Sequence, residues 1–362
     1  TKAKIREFKM NVLEYEEIYD DLREDVSVFE GKTVLITGAS GFLGVWFSGF
    51  FDFLNENKFE NNARIICVDN NISGDNKKLD SFKTVEVVNL NIVESFEDSL
   101  SVEGGVDYII NAAGIASPRV YQKYPVETMD VSYLGTKNIF NFALKHGVKS
   151  ILCFSSSEVY GTPDTLNIPT GEEYLGSVPT MSNRSCYDIG KKVIETISYV
   201  YAKEYNVPVK IVRPFNVYGP NMYENDYRVL SNSISKVLRD EPITIYGDGE
   251  QSRTFCYITD AIKGFFRVLL RGQNGDVYNI GNSEPELSMV EFAEALYKVA
   301  GKPNISELVP YPPYYPDDEP RRRCPDISKA KAELEYSPSV DIESGLERMY
   351  EWAKDNYFKE SK

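Results

Sequence analysis

A doubly wound α/β fold, a parallel sheet with helices on both faces and a smaller C-terminal α/β lobe, is predicted for this 362-residue chain. Three observations predict it. The stretch TVLITGASGFLG, Thr33–Gly44, reads as a strand, a glycine turn and the start of a helix. Strand-like and helix-like stretches then alternate from Lys32 to about Ser155, the pattern of parallel strands joined by crossover helices. Lastly, Asp69 stands at the C-terminal end of the second strand, the edge where open α/β sheets meet their ligands.

Val34, Leu35 and Ile36 form a short apolar run with two β-branched members, as in a strand buried on both faces. Gly38, Gly41 and Gly44 follow at every third position, and Phe42, Leu43, Val45 and Trp46 carry the pattern into a helix. A glycine turn lets backbone approach a pyrophosphate, and free N–H groups at a helix N-terminus favour its charge. The spacing is GxxGxxG rather than GxGxxG, so context must decide. Asp69, with Asn70 beside it, ends the second strand Ile65–Val68. A carboxylate there accepts hydrogen bonds from ribose hydroxyls and repels a 2′-phosphate, which favours NAD over NADP on a Rossmann-type sheet. The polar segment NENKFENNA lengthens the gap between turn and Asp69 as a loop. Val85–Leu90 reads as the third strand and Tyr108–Asn111 as the fourth, running into Ala112, Ala113 and Gly114. Such small residues suit close approach of a cofactor. Val126 to Lys145 reads as one long helix.

The composition excludes several classes. A net charge of −15 argues against nucleic acid or an anionic membrane as partner, since both demand a basic face. Cys67, Cys153, Cys186, Cys256 and Cys324 are scattered and lack CxxC spacing, which reads as reduced thiols in a cytoplasmic protein. With His146 as the one histidine, a His-rich metal site is ruled out. His146 precedes Gly147 in LKHGVKS and reads as a solvated helix end closed by a glycine cap. No stretch reads as a signal peptide or a membrane span. Residues 1–30, charged and aromatic with Leu13, Ile18 and Leu22 near helical spacing, are expected to form a short helix on the body or on a partner subunit.

The fifth strand, Ile151–Phe154, ends in Ser155, Ser156, Ser157 and Glu158. Further on, Tyr187 and Lys191 stand four apart at the start of a helical pattern through Val193, Ile194, Ile197 and Val200, so they share a face. An ammonium beside a phenol stabilises the phenolate. Tyr187 can then act as a general base on a substrate hydroxyl.

TGASGFLG, SSSEVYG, YDIGK and RPFNVYGP together resemble the extended short-chain dehydrogenase/reductase family, the NAD-dependent nucleotide-sugar epimerases and dehydratases. The resemblance runs from Lys32 to about Tyr357. It is strongest toward the UDP-glucuronate decarboxylase (UDP-xylose synthase) subfamily, through ASPRVYQKYPVET, SCYDIGKKVIET, GDGEQSRTFCYITD and RRRCPDISKAKAELEYSP. The resemblance implies that Tyr187 takes the C4 hydroxyl proton while NAD accepts the C4 hydride, with Lys191 supporting it. The β-keto acid so formed loses carbon dioxide, and re-reduction gives UDP-xylose. It also implies that Ser157 or Ser156 binds the C4 oxygen, that Glu158 assists at C5 and that Arg323 handles the carboxylate. Sugar 4,6-dehydratases carry Asp-Glu where this chain has Ser157 and Glu158, and simple 4-epimerases need no carboxylate there, so the decarboxylase pattern fits best. A 4-epimerase, a 4,6-dehydratase and a catalytically silent nucleotide-sugar binder remain the alternatives.

By the same resemblance Asn216, Arg228, Tyr246 and Arg253 contact the substrate, and Pro214 joins the cofactor-binding set. Asn91 stands where Asp commonly meets the adenine, Ser132 where Asn is usual and Cys324 where Lys is usual. The run LVPYPPYYPDDEP reads as a loop closing the cleft rather than a polyproline ligand. The helices Val126–Lys145 and Tyr187–Tyr205 match those that pair across family homodimers. The expected division is an N-terminal extension, 1–30; an NAD-binding domain, 31–216 with 254–285; and a nucleotide-sugar lobe, 217–253 with 286–357.

Overall fold

The computed structural model describes residues 2–358 apart from 95, 97–99, 101, 225, 227 and 312–319. Most of the cleft-closing loop expected over 308–320 therefore lies outside the described residues. Among those described, no helix is long and apolar enough to cross a membrane.

Seven parallel strands form the central sheet: β1 (Thr33–Thr37), β2 (Arg64–Asp69), β3 (Val85–Asn89), β4 (Tyr108–Asn111), β5 (Ser150–Phe154), β6 (Val209–Pro214) and β7 (Val277–Ile280). Their spatial order is β7-β6-β5-β4-β1-β2-β3. Chain direction across the sheet reverses between β1 and β4, and the crevice beyond their C-terminal ends is the ligand position in such sheets. Leu35, Ile66, Ile109 and Ile151 pack on one face with Ile139, Phe140 and Ile194. Val34, Ile36, Ile65 and Leu152 pack on the other with Trp46, Phe47 and Phe266. Strands covered on both faces lose polar alternation, which is why these runs read as wholly apolar.

The helices are α1 (Lys2–Val26), α2 (Phe42–Asn57), α3 (Thr136–His146), α4 (Ser185–Tyr205), α5 (Val229–Leu238), α6 (Ile258–Arg271), α7 (Met289–Ala300) and α8 (Ile342–Asn356), with shorter turns between them. The helix expected from Val126 to Lys145 is present as a continuous run, with a π turn over Val131–Gly135 joining Pro125–Asp130 to α3. A Cβ on Gly190 of α4 would lie 2.7 Å from the Ser132 Oγ of that turn, so the two helices meet too closely for any larger residue. Within the segment 254–285, assigned above to the NAD-binding domain, the first strand lies outside the central sheet. Cys256–Tyr257 pairs with Val217–Tyr218 instead, while β7 joins the sheet beside β6 as expected. Gly147 closes α3 with φ +64°, and His146 stacks on Phe142 there.

The C-terminal elements form small sheets. Thr244–Tyr246 pairs with Glu307–Val309, and Ser252–Arg253 lies between Leu287–Ser288 and Arg322–Arg323. α7 begins in a reciprocal cap between Ser288 and Glu291, which satisfies two otherwise orphaned N–H groups.

α1 is longer than the short helix expected and lies on the body. Ile18, Leu22 and Val26 are fully buried, and Tyr15 meets the Trp46 ring edge-on at 5.4 Å. Its acidic side runs along α6 as a ladder: Glu17 with Lys263 at 3.1 Å, Asp21 with Arg267 at 2.9 Å and Asp25 with Arg271 at 2.8 Å. Each helix repeats its charge every four residues, one face of a helix. Arg267, 11% exposed in its side chain, also donates to the carbonyls of Leu334 and Glu335. Arg267→Ala should therefore cost about 2 kcal/mol in denaturant unfolding. Arg271→Ala, at a wetter site, should cost under about 1 kcal/mol. An equal cost for the two would show that burial does not grade the ladder.

Candidate active site

β1 ends at Thr37, and the chain turns through Gly38 with φ +67°. A Cβ on Gly38 would lie 2.6 Å from the Ala112 backbone, and one on Gly44 would lie 2.2 Å from the Gly38 carbonyl oxygen. Glycine is thus required by contact as well as by conformation. Gly41 is the N-cap of α2 and makes no side-chain cap, so Phe42, Leu43 and Gly44 present backbone N–H groups toward the sheet edge. Asp69 has a second task that its position in sequence did not reveal. One oxygen accepts from the Ser40 N–H at 2.9 Å and the other from the Asn71 N–H at 2.7 Å, so the carboxylate ties the glycine turn to the end of β2.

A cleft opens here, lined by Gly38, Asp69, Asn70, Asn91, Ala112, Ala113 and Gly114 together with Glu127 and Asp130. Asn91 accepts from the Val93 N–H through its side-chain oxygen. Pro214, at the end of β6, pairs in register with Ile280 and lies outside that lining.

At the end of β5, Ser156 caps a short turn by accepting from the Glu158 N–H at 3.2 Å, and its hydroxyl also hydrogen-bonds Tyr187. Ser157 is buried beside it. Lys191 donates to the Phe154 carbonyl at 2.7 Å, which pins α4 to the end of β5, and its ammonium lies 5.6 Å from the Tyr187 ring centre. The Tyr187 ring stacks on Tyr121 at 5.3 Å. Burial pushes the Tyr187 phenol up to about 12, against the opposing pull of its bond to Ser156. Burial likewise brings the Lys191 ammonium down to about 8, against the charges of Cys153 and Glu195.

Glu158 is held by two guanidiniums. Arg323 reaches both of its oxygens, one of them at 2.9 Å. Arg184, one residue before α4, donates to the same carboxylate at 2.5 Å and lies 3.6 Å from Asp188. Burial would raise the Glu158 carboxyl, but the charges of Arg323, Arg184 and Arg253 outweigh it and hold the group below its usual value. The charges of Glu158, Asp188 and Arg228 are in turn felt at Tyr187, so these residues share one site.

Arg253 donates to the Ser252 carbonyl at 2.8 Å from the strand alongside Arg323. Arg228 bonds Asp226 at 2.5 Å and lies over the Phe42 ring, 5.6 Å from its centre. Asn216, at φ +43°, donates to the Thr254 carbonyl at 2.8 Å. Tyr246 stacks on Tyr311 at 6.0 Å, apart from the serine and tyrosine cluster. Sequence reasoning missed Arg184 and Tyr121. It also missed the buried chain behind the site, in which Ser155 donates to Glu195, and Glu195 takes two hydrogen bonds of 2.7 Å from Arg213.

The model of the NAD-dependent epimerase/dehydratase family matches residues 34–281. The chain belongs to that family. Members of this enzyme family use NAD. Among relatives of this family member, UDP-glucuronic acid decarboxylase 6 of Arabidopsis thaliana is 40% identical over 88% of each chain. UDP-glucuronic acid decarboxylase 1 of Xenopus tropicalis is 36% identical, over 88% of this chain and 71% of its own. Among solved structures, UDP-glucuronic acid 4-epimerase of Bacillus cereus with UDP-glucuronic acid and NAD is 27% identical at a TM-score of 0.74, covering 90% of this chain and all of its own. UDP-glucose 4-epimerase of Thermotoga maritima with UDP-glucose is also 27% identical, at a TM-score of 0.77, over 88% of this chain and 98% of its own. Gly44→Ala should abolish NAD retention while the chain stays folded, losing about 1–3 kcal/mol from overpacking the turn. Cofactor content by absorbance after purification, with a thermal midpoint, checks this, and normal NAD content would contradict the cradle.

Proposed function

We propose that this enzyme decarboxylates UDP-glucuronate to UDP-xylose. The observation that carries the reading is the Ser157–Glu158 strand end with Arg323 on the Glu158 carboxylate, a serine where a dehydratase needs an acid and a cation where a carboxylated sugar needs an anchor. The decarboxylase names of relatives 33–40% identical to the chain support it.

Gly38, Gly41, Phe42, Leu43, Gly44, Asp69, Asn70, Asn91 and Ala112–Gly114 hold the NAD, with Pro214 at the edge of the site. Bound there, NAD supplies the oxidant for C4 and returns the hydride at the end. Tyr187 takes the C4 hydroxyl proton, steadied by Lys191, while Ser156 and Ser157 orient the C4 oxygen. Once C4 is a ketone, the C5 carboxylate is β to it. The C5–C6 bond electrons then pass into the enolate as carbon dioxide leaves, and C5 takes up a proton with help from Glu158. Arg323 grips the carboxylate, a task for which a guanidinium fork is suited. Asn216, Arg228, Tyr246 and Arg253 receive the nucleotide diphosphate and sugar from the lobe formed by 217–253 and 286–357. Residues 31–216 with 254–285 form the cofactor domain, and 1–30 an extension packed on it.

Incubation with UDP-glucuronate, followed by NMR, should give UDP-xylose and carbon dioxide without added NADH. Tyr187→Phe should cut turnover by a factor on the order of 10²–10⁴ with little change in nucleotide-sugar binding. Inversion at C4 with the carboxylate kept would establish an epimerase instead, loss of a hydroxyl a dehydratase, and inertness a silent binder.

The enzyme also acts as a homodimer in this proposal. Val126, Tyr133 and Leu134 on the helix that carries the π turn and Tyr199, Val200 and Tyr205 on α4 are large apolar residues left at 40–66% exposure, more than a monomer's surface needs. Sedimentation at micromolar protein should give the mass of two chains, and one chain's mass would refute the pairing. Five free thiols fit a reducing compartment, and the cytoplasm is our assignment.

A further inference from the structure

We propose that Arg184 is the positioning residue that keeps Glu158 in place when an acidic sugar claims Arg323, and that it thereby makes the site selective for a uronate. This rests on the decarboxylase reading. Glu158 lies between two guanidiniums from different parts of the fold: Arg184 at the start of α4 and Arg323 on the lobe strand Arg322–Arg323. Asp188 in turn answers Arg184, so Arg323 is the guanidinium that an incoming carboxylate draws away, a claim that a neutral sugar does not make. Arg323 reaches both oxygens of Glu158, so the incoming carboxylate must compete with Glu158 for it. Arg184 donates to the same carboxylate at 2.5 Å and is tied to Asp188 of the catalytic helix. It therefore retains Glu158 near Tyr187 while Arg323 turns to the substrate. Without Arg184, Glu158 and substrate contest a single guanidinium.

Glu158 is faced by Arg184, Asp188 and Tyr187 from the α4 region, by Tyr121, and by Arg253 and Arg323 from the lobe strands. Its carboxyl is held below the usual range by the arginines despite burial. Removing one arginine raises it, so protonation sets in at higher pH.

The test compares Arg184→Gln and Arg184→Lys in the NAD-loaded enzyme. Turnover of UDP-glucuronate is followed by NMR across pH, and UDP-glucose binding by calorimetry serves as the neutral-sugar control. Arg184→Gln should raise KM for UDP-glucuronate about 10- to 100-fold, the worth of one charged hydrogen bond, with a smaller fall in kcat. The acid limb of kcat/KM should move to higher pH, UDP-glucose affinity should stay unchanged, and Arg184→Lys should recover part of the loss. An unmoved KM and acid limb, or equal weakening toward both nucleotides, would overturn the assignment. If Arg184→Gln does not fold, Arg184→Lys is read alone: a raised KM with unchanged UDP-glucose affinity supports the role, and no change overturns it. Wild-type conversion of UDP-glucuronate to its C4 epimer alone would defeat the decarboxylase reading, while the KM comparison would still judge Arg184.

Discussion

All seven strands of the sheet run the same way, and this constraint places the chemistry. Parallel strands open their C-terminal ends on one edge, so the turn after β1, Asp69 after β2, Ala112–Gly114 after β4 and the serines after β5 arrive together although 120 residues separate the first from the last. What remains is to fix α4 against that edge. The Lys191 hydrogen bond to the Phe154 carbonyl does this with a side chain one turn from Tyr187. Glu195, one turn further along α4, adds a second tie through Arg213 and Ser155. A lysine used as both strut and electrostatic partner cannot wander from its tyrosine.

Charge is distributed by the same economy. A chain of net charge −15 pairs the arginines around the site with carboxylates: Arg323 and Arg184 take Glu158, Arg213 takes Glu195 and the partly exposed Arg228 takes Asp226. A buried guanidinium without a partner costs several kcal/mol, so a site meant for a diphosphate and a carboxylate must hold stand-ins when empty. The acidic face of α1 uses the same logic on α6, where the ladder neutralises three cations on a helix that also contributes Phe265 and Phe266 to the core.

The site was legible to the extent that it is built from local order. Gly38, Gly41 and Gly44 mark a turn whose geometry depends on a dozen residues, and Tyr187 and Lys191 are related by one turn of helix. Asp69 was legible as the acidic end of β2 but not as the staple of the turn, because Ser40 lies 29 residues away. Arg184 was invisible for a similar reason. It sits in a polar run, and its partner Glu158 lies 26 residues earlier across a loop. The ladder of α1 joins residues 246 apart, beyond any periodicity argument. The π turn at Val131–Gly135 leaves the apolar spacing of its helix nearly unchanged, so it carries no signal in the pattern.

The titrations of Tyr187 and Lys191 point the same way. Burial is the largest cause driving the Tyr187 phenol up and the Lys191 ammonium down, each toward its neutral form, because the dry pocket disfavours either charge. A phenol at about 12 is a poor base at neutral pH, and a lysine at about 8 is still mostly charged there. The imbalance leaves one fixed positive charge beside a phenol in a pocket with little solvent, where electrostatic effects are strongest. Glu158 and Asp188 raise the phenol further. Their anionic charge is screened by the very guanidiniums that hold them, which couples the Tyr187 phenol to the arginines around Glu158.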